Sequence, residues 1–278
     1  MTPTAQLGSA TSTWCMIGDP TSVETRFGLH DCTPTDFGGN RCSYLVPPWA
    51  RDADGRIRVG ALMVLADHIL GELPYIRRPP RTWSLTAELT LDVVGDLSDV
   101  ETLLAEAQTV TGGPEPFVQC RLTDGRRNLL AVGNTRCVYV PATADDPEAE
   151  PATDGAGHAD ATDIDQLLGL SYQTLSDGVQ LTLADPGSWI NGFGIMHGGV
   201  AACVTELAAA AAVGAKNRHL QTAHIHTSYL RPVMSDSPYV AVARPVHVGR
   251  SSAVVEVLGS RGSGELCTVS TLTARRPA

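Results

Sequence analysis

The sequence has no long apolar run, no secretory leader and no clustered basic surface. No stretch of apolar residues reaches the roughly 18 that a membrane-spanning helix needs. Residues 1–14 lack the basic segment and following apolar core of a signal peptide, so a cytoplasmic protein without a membrane span is expected. Acidic residues outnumber basic ones by 30 to 20, and nothing in the sequence suggests the extended basic face that a nucleic-acid partner needs.

Disulfide and metal frameworks are missing as well. The seven cysteines form an odd, scattered set without a Cys-x-x-Cys pair, which argues against a disulfide framework and against a zinc site. Most of them are therefore expected to be small buried hydrophobic side chains. With 278 residues, of which 43% are hydrophobic, the chain can form one large domain or two ordinary ones.

Most of the net charge of −10 lies in one short segment. Residues 141–163 are rich in Pro, Ala and Asp and contain seven acidic residues but no Lys or Arg. Such a composition cannot build a core and predicts a solvated linker. The linker separates a first domain, residues 1–140, from a second domain, residues 164–278.

The two halves repeat the same order of predicted elements at an offset of about 140 residues. Each has a short alternating strand, a Pro/Trp loop, a long apolar helix and an antiparallel meander. The helices are predicted over residues 59–73, ending at Pro74, and over residues 198–213. The meander strands are predicted at residues 82–93, 100–110 and 117–139 in the first half, and at 222–230, 239–248 and 253–273 in the second. The fold class is therefore α+β, with one curved sheet wrapped around one helix in each half.

The second long helix begins with two glycines, Gly198 and Gly199. Bare backbone amides at a helix N-terminus favour developing negative charge, as an oxyanion hole requires. Glu206 follows Gly199 by seven residues and points to the same face, about 10 Å further along the axis. In the first half, Gly60 aligns with Gly199 and Asp67 aligns with Glu206. A carboxylate inside an apolar helix is costly unless it has a task or a partner.

The second half resembles the hotdog-fold thioesterases of the PaaI-like group, which are related to 4-hydroxybenzoyl-CoA thioesterases. Asn191, His197 and Glu206 have the spacing of that group, the strand ending in Tyr-Leu-Arg231-Pro resembles its strand end, and Gly-Arg250 resembles its hairpin. The resemblance covers about 110 residues and implies two tandem hotdog domains that form an intrachain pseudo-dimer. It further implies an acyl-CoA thioesterase that needs no metal or separate cofactor and assembles into homo-oligomers.

The first half keeps the pattern only in outline. Gly60, Asp67 and Ser84, which aligns with Thr222, are in place, but Arg58 stands where the histidine does and Asp52 stands roughly where the asparagine does.

One helix cannot supply both the amide and the acid of a site, because about 10 Å separates them. If the two helices lie antiparallel about a two-fold axis, each N-terminus meets the acid of the other helix. The resemblance implies sites shared between subunits in this way, and here the two halves take both parts. The first composite site would contain Asn191, His197, Gly199, Asp67 and Ser84. The second would contain Asp52, Arg58, Gly60, Glu206 and Thr222. Only the first keeps every family element, so we place the reaction there and leave the activity of the second open.

Each residue of the first site has an expected role. The Gly199 N–H would polarise the thioester carbonyl, and Asp67 would act as general base or as nucleophile, two alternatives that the sequence leaves open. Asn191 would orient the water or the carbonyl, Ser84 would hydrogen-bond the water or the acid, and His197 would brace the loop.

Other polar residues have weaker assignments. Arg231 and Arg250 are candidates for contacts with the phosphates of CoA, together with Gly198 at the helix start. His224 and His226 alternate on a strand and so face the same way, but no third metal ligand is evident. A place in the pseudo-dimer interface or in the pocket lining is expected for these two histidines.

Alternatives remain at the level of residues and of function. Asp67 can be a surface residue of an amphipathic helix, and Glu206 can be a relic or a structural partner of Arg58. The second function considered is a non-catalytic acyl-CoA-binding or sensing protein. A hydratase or dehydratase is less favoured, since no Asp and His stand as that hotdog branch places them. The acyl group, and CoA versus acyl carrier protein, stay open.

Overall fold

The computed structural model describes residue 19 and residues 21–36, 38–142 and 161–277. The acidic segment predicted as a linker therefore lies mostly outside the described residues, and the domain boundaries drawn from it stay predictions.

Each half has the order short helix, two strands, long helix and four strands. The helices are α1 (Val23–Arg26), α2 (Val59–Arg77), α3 (Ile164–Leu168) and α4 (Gly198–Gly214). The first-half strands are β1 (Leu29–Pro34), β2 (Asn40–Leu45), β3 (Thr82–Val93), β4 (Thr102–Thr111), β5 (Phe117–Asp124) and β6 (Leu129–Pro141). The second-half strands are β7 (Leu170–Thr174), β8 (Val179–Leu183), β9 (Gln221–Tyr229), β10 (Tyr239–Val248), β11 (Ser252–Arg261) and β12 (Leu266–Arg275). The predicted α+β class is confirmed, and the ends of the predicted meander strands lie within two residues of these bounds.

Alternation of buried and partly exposed residues shows that a strand turns one of its faces toward the helices. In β8, Val179, Leu181 and Leu183 are buried, whereas the two residues between them are partly exposed. This period of two places the apolar side chains on the face that covers α4. Both long helices are apolar and buried around most of their circumference, as central core helices must be.

All twelve strands form one continuous antiparallel sheet. Their order is β1-β2-β4-β5-β6-β3-β9-β12-β11-β10-β8-β7, which is symmetric about the pairing of β3 with β9. His224 and His226 lie at this seam, where His224 Nδ1 is 2.8 Å from Asp92 Oδ1 and His226 Nδ1 is 3.0 Å from Thr90 Oγ1. The two histidines thus connect the halves, as expected for an interface position.

The prediction that the first long helix ends at Pro74 is wrong. Helix α2 continues to Arg77, with Pro74 inside its last turn. A proline at that position removes only one helical hydrogen bond, and the Pro74 carbonyl accepts a hydrogen bond from Tyr139 Oη at 3.0 Å. The short elements α1, α3, β1 and β7 were not predicted, because the two helices span little more than one turn and the two strands do not alternate buried with exposed residues.

Helix α2 is also the one helix of the described residues that is long and apolar enough to cross a bilayer by length and composition. However, 78% of its apolar window is buried inside the protein. Its apolar character therefore follows from its place at the centre of a sheet.

Candidate active site

The two long helices meet through the start of each and the acid of the other. The Gly199 N–H donates to Asp67 Oδ2 at 2.7 Å, and the Gly60 N–H donates to Glu206 Oε2 at 2.9 Å. Because residue 60 faces 206 while 67 faces 199, the helices run antiparallel. The cross-helix contacts expected from helix geometry are therefore present in both places.

A threonine holds the second oxygen of each acid. Thr86 Oγ1 donates to Asp67 Oδ1 at 3.0 Å, and Thr222 Oγ1 donates to Glu206 Oε1 at 2.5 Å. Each threonine stands where the register of its strand shifts, next to a bulge. The two carboxylates thus have the same set of donors, one helix amide and one strand hydroxyl.

The pairing of Ser84 with Asp67 and its alignment with Thr222 need correction. Thr86 takes that position, because 26 positions separate Gly60 from Thr86, against 23 between Gly199 and Thr222. Both strands begin 22 positions after their glycine, but Thr86 is the fifth residue of β3 whereas Thr222 is the second residue of β9, a difference that a constant offset misses. Ser84 still lines the neighbouring cavity, and its buried Oγ has no hydrogen-bond partner among the described residues.

His197 caps the helix that carries the Gly199 amide. Its Nδ1 lies 3.1 Å from the Gly199 nitrogen and 3.3 Å from Asp67 Oδ2, and its Nε2 lies 3.5 Å from Glu24 Oε1. Burial opposes the charged form of His197, but the hydrogen bond to Glu24 and the negative charge of Asp67 outweigh it and raise the pKa of His197. The neutral ring accepts the Gly199 N–H at Nδ1, whereas a protonated ring donates instead from Nδ1 to Asp67 and from Nε2 to Glu24.

Glu24 is the residue of this network that the sequence reasoning missed. Its Oε1 lies between His197 Nε2 and His68 Nδ1, which is 3.4 Å away. Burial alone would raise the pKa of Glu24, but the hydrogen bonds from His197 and His68 hold it well below its ordinary value. The internal repeat could have pointed to Glu24, because Glu24 precedes Gly28 by four residues just as Asp165 precedes Gly169 in the second half.

Helix α1 carries Glu24 to this place because α1 is fixed to the second half. The Arg26 guanidinium lies 3.5 Å from the centre of the Trp189 ring and donates to the Ser188 carbonyl at 2.5 Å. Phe27 packs edge to face against the same Trp189 ring. A first-half helix thus contributes a charge to the start of the second-half helix.

The loop before His197 repeats the loop before Arg58 bond for bond. Asn191 Oδ1 accepts from the amide two residues later at 2.9 Å, and Asp52 Oδ1 does the same at 2.9 Å. The His197 N–H bonds to the Trp189 carbonyl, as the Arg58 N–H bonds to the Ala50 carbonyl. Asp52 and Asn191 are therefore equivalent, as aligned, and Asp52 uses its carboxylate in its own turn.

A cavity of about 290 Å³ opens beside Asp67. Its polar lining includes Asp67, Ser84, Thr86 and Asn191, and Gly198 also lines it. Its apolar lining comes from both halves and consists of Leu85, Ala87, Val138, Val140, Ile195, Met196, Ala201, Leu230 and Val233. An apolar cavity with few polar groups at one end is the usual form of a small-molecule site.

An aromatic contact fixes the Asn191 loop over the first half. Phe193 stacks on Trp83 with 4.8 Å between ring centres, and Tyr75 lies 5.9 Å from Phe193. This places the loop that carries Asn191 across the junction of the two halves.

Comparison with known proteins supports this architecture. Residues 193–268 match the sequence profile of the thioesterase superfamily. The structure of a TesB protein from Mycobacterium avium subspecies paratuberculosis superimposes with a TM-score of 0.65 at 10% identity, over 94% of this chain and 100% of that chain. The protein is a double hotdog. No curated protein sequence gives a significant match to it.

Two further structures resemble the double hotdog over nearly its whole length. An acyl-CoA thioesterase II from Mycobacterium marinum has a TM-score of 0.58 at 14% identity and covers 92% of this chain and 99% of its own. An acyl-ACP thioesterase from Bacteroides thetaiotaomicron has a TM-score of 0.58 at 12% identity and covers 84% and 97%. At such identities the likeness concerns the fold.

The arginines of the double hotdog are less well placed than the acids. Arg231 lines the cavity, but its side chain is engaged with Glu265, 3.1 Å from Nε, and with the Leu266 carbonyl. Arg250 is exposed in the hairpin between β10 and β11 and does not line the cavity. A phosphate contact from either residue stays a prediction.

The second acid site of the double hotdog differs in charge. Burial raises the pKa of Glu206, and the hydrogen bonds from Thr222 and Gly60 only partly offset it. Arg58 stands where His197 stands in the first site, and its Nε is buried without a hydrogen-bond partner among the described residues. The two acids therefore accept from equivalent donors, but Asp67 lies beside a histidine and Glu206 lies at the site that has an arginine in its place.

Proposed function

We propose that the protein is a thioesterase that hydrolyses an acyl thioester, with acyl-CoA as the substrate, at the Asp67 site between its two halves. The observation that carries this proposal is the 2.7 Å hydrogen bond from the Gly199 amide to Asp67 Oδ2, since Asp67 also lines the mainly apolar cavity. The thioesterase-superfamily match to residues 193–268 supports the same reaction class.

The substrate carbonyl would replace Asp67 Oδ2 as the acceptor of the Gly199 N–H. The amide and the positive end of α4 then stabilise the tetrahedral oxyanion, by about 3 kcal/mol for a well-placed donor. Asp67, still held by Thr86 at its other oxygen, is free to act. Either it takes a proton from water as that water attacks the carbonyl, or it attacks the carbonyl itself and water hydrolyses the resulting anhydride.

The balanced reaction consumes one thioester and one water and yields one carboxylic acid and one thiol. It needs no metal or cofactor, since the amide, the acid and water supply all the groups. Asn191 lines the cavity from the aromatic-anchored loop, where it can orient the carbonyl or the water. The apolar walls favour an uncharged hydrocarbon acyl group.

Thiol release from a panel of thioesters tests this function. Acyl-CoAs and acyl carrier protein thioesters of increasing acyl length are incubated with the protein, and released thiol is measured with a chromogenic disulfide. Turnover of acyl-CoAs supports the proposal. Binding of acyl-CoA without turnover of any thioester would instead show the acyl-CoA-binding protein that is the alternative, and turnover of carrier-protein thioesters alone would reassign the substrate.

The Glu24 network predicts a pH-dependent stability. The depressed pKa of Glu24 means that its contribution is present above its unfolded value, about 4.3, and is lost as pH falls through the folded value. The raised pKa of His197 means that its contribution is full below about 6.5 and is lost as pH rises through the folded value. Glu24→Gln is therefore expected to lower the free energy of unfolding by about 1–3 kcal/mol near pH 5.5, and by less at high pH.

Urea unfolding at a series of pH values measures this effect. The control is Glu106→Gln, since the Glu106–Arg41 pair is exposed and its loss should change stability by less than about 0.5 kcal/mol. An equal loss for Glu24→Gln at low and high pH would show that Glu24 stabilises the protein by packing, not by charge.

A further inference from the structure

Three potential metal ligands meet outside the cavity, where β1 crosses α2. They are Cys32 of β1 and His68 and Glu72 of α2, and one ligand atom from each lies within 4.8 Å of the others. His68 and Glu72 are four residues apart and so face the same side of α2. None of the three lines the cavity beside Asp67, although His68 is linked through Glu24 to His197.

The distance between two of these ligand atoms fits zinc. Cys32 Sγ and His68 Nε2 are 3.5 Å apart. With Zn–S of about 2.3 Å and Zn–N of about 2.0–2.1 Å, two ligands at a tetrahedral angle stand about 3.5 Å apart. The observed distance between Cys32 Sγ and His68 Nε2 therefore equals the one that a shared zinc ion requires. A carboxylate oxygen of Glu72 completes a third ligand after a shift of about 1 Å.

Glu24 and Asn40 orient two of these ligands by contacting the atoms that do not face the ion. His68 points its other nitrogen, Nδ1, at the buried Glu24, 3.4 Å away, which is the carboxylate–histidine arrangement that directs Nε2 toward a metal. Asn40 Nδ2 donates to Glu72 Oε2 at 2.5 Å and is itself buried. Glu72 therefore keeps its other oxygen for an ion.

The partial exposure of Cys32 and the negative charge around it also favour zinc binding. Of the six cysteines in the described residues, Cys32 is the one that is not fully buried, so an ion can reach its sulfur. A thiolate beside Glu72 and Glu24 concentrates negative charge, which a divalent cation offsets. Thiolate, imidazole and carboxylate together favour zinc over magnesium or calcium, which prefer oxygen ligands alone.

We propose that Cys32, His68 and Glu72 form a zinc(II) site whose fourth position is open to solvent. Binding replaces the thiol proton of Cys32 with zinc and releases that proton to solvent. The ion then ties the edge strand β1 to α2. The absence of a Cys-x-x-Cys pair in the sequence does not exclude this site, because its ligands are brought together by packing.

Zinc titration of the chelator-treated full chain tests the site. The wild type is expected to bind one zinc(II) per chain against a chromogenic chelator, to show a thiolate charge-transfer band with cobalt(II), and to melt at a higher temperature with zinc. Zinc should also protect Cys32 from alkylation, as read by peptide mapping. Cys32→Ser and Glu72→Gln are each expected to weaken zinc binding at least about tenfold.

The controls are His224→Asn and Glu106→Gln, which remove partly exposed potential ligands elsewhere. Both should bind zinc as the wild type does. The proposal is overturned if the wild type binds no zinc, if Cys32 alkylates equally fast with and without it, or if a control variant loses the zinc while Cys32→Ser keeps it.

Discussion

The Asp67→Asn variant is expected to lose at least about 10³-fold in kcat for thioester hydrolysis. Asparagine has the shape of aspartate and can still accept the Gly199 N–H, but it is neither a base nor a nucleophile. Its fold should stay intact, since the substitution removes a charge without changing volume. Because the binding surface is kept, acyl-CoA should still bind, which equilibrium binding to the variant can measure.

Glu206→Gln is the matched control for Asp67→Asn. Glu206 has the same donors as Asp67, a helix amide and a threonine hydroxyl, so both substitutions disturb equivalent packing. We expect the Glu206 variant to keep hydrolysis within a few-fold of the wild type. An inactive Glu206→Gln beside an active Asp67→Asn would move the reaction to the second site, and equal partial losses would show that both sites work.

The fold could be predicted because each half of the sequence shows the same order of elements on its own. Two helices with a glycine and an acid at the same spacing, each followed by strand-like stretches, leave few other arrangements. The meeting of Asp67 with Gly199 followed from helix geometry, which excludes a site on one helix, together with the shared sites that the family resemblance implies. What the sequence did not show is that β3 and β9 pair edge to edge, joining the halves in one sheet.

The site was predicted less completely, for two physical reasons. Ser84 was chosen over Thr86 because a constant offset between the halves ignores that β3 has 12 residues against 9 in β9, and ignores the bulge that follows Thr86. Glu24 was missed because a four-residue helix has no detectable period, and its position depends on contacts of Arg26 with Trp189 in the other half. Both depend on tertiary packing.

Gly199→Ala is expected to have the second large effect, because the backbone of α2 packs directly against this glycine of α4. A Cβ added there would lie 2.6 Å from Val64 Cα and 2.9 Å from the Met63 carbonyl oxygen. These are backbone atoms, so relief requires the helices to move apart. Overpacking of this kind lowers stability by about 1–3 kcal/mol, against a gain in helix propensity of about 1 kcal/mol.

Gly71→Ala provides the stability control within α2. An added Cβ at Gly71 meets nothing within 4 Å, so this variant is expected to gain about 0.5–1 kcal/mol from reduced unfolded-state entropy and helix propensity. Urea unfolding compares the two variants. A Gly199→Ala variant as stable as Gly71→Ala would show that the helices separate without strain.

Gly60→Ala separates the effect on activity from the effect on packing. A Cβ at Gly60 would meet Glu206 Oε2 at 3.0 Å and Cys203 at 3.2 Å, which is less severe than the contact at Gly199. Separating the helices at Gly199 moves the amide away from Asp67 and the cavity, so hydrolysis should fall by at least about 10²-fold. Gly60→Ala perturbs the Glu206 end and should keep most activity. The reverse order of the two activities would place the oxyanion hole at Gly60, because only the amide that contacts the substrate makes the rate sensitive to its position.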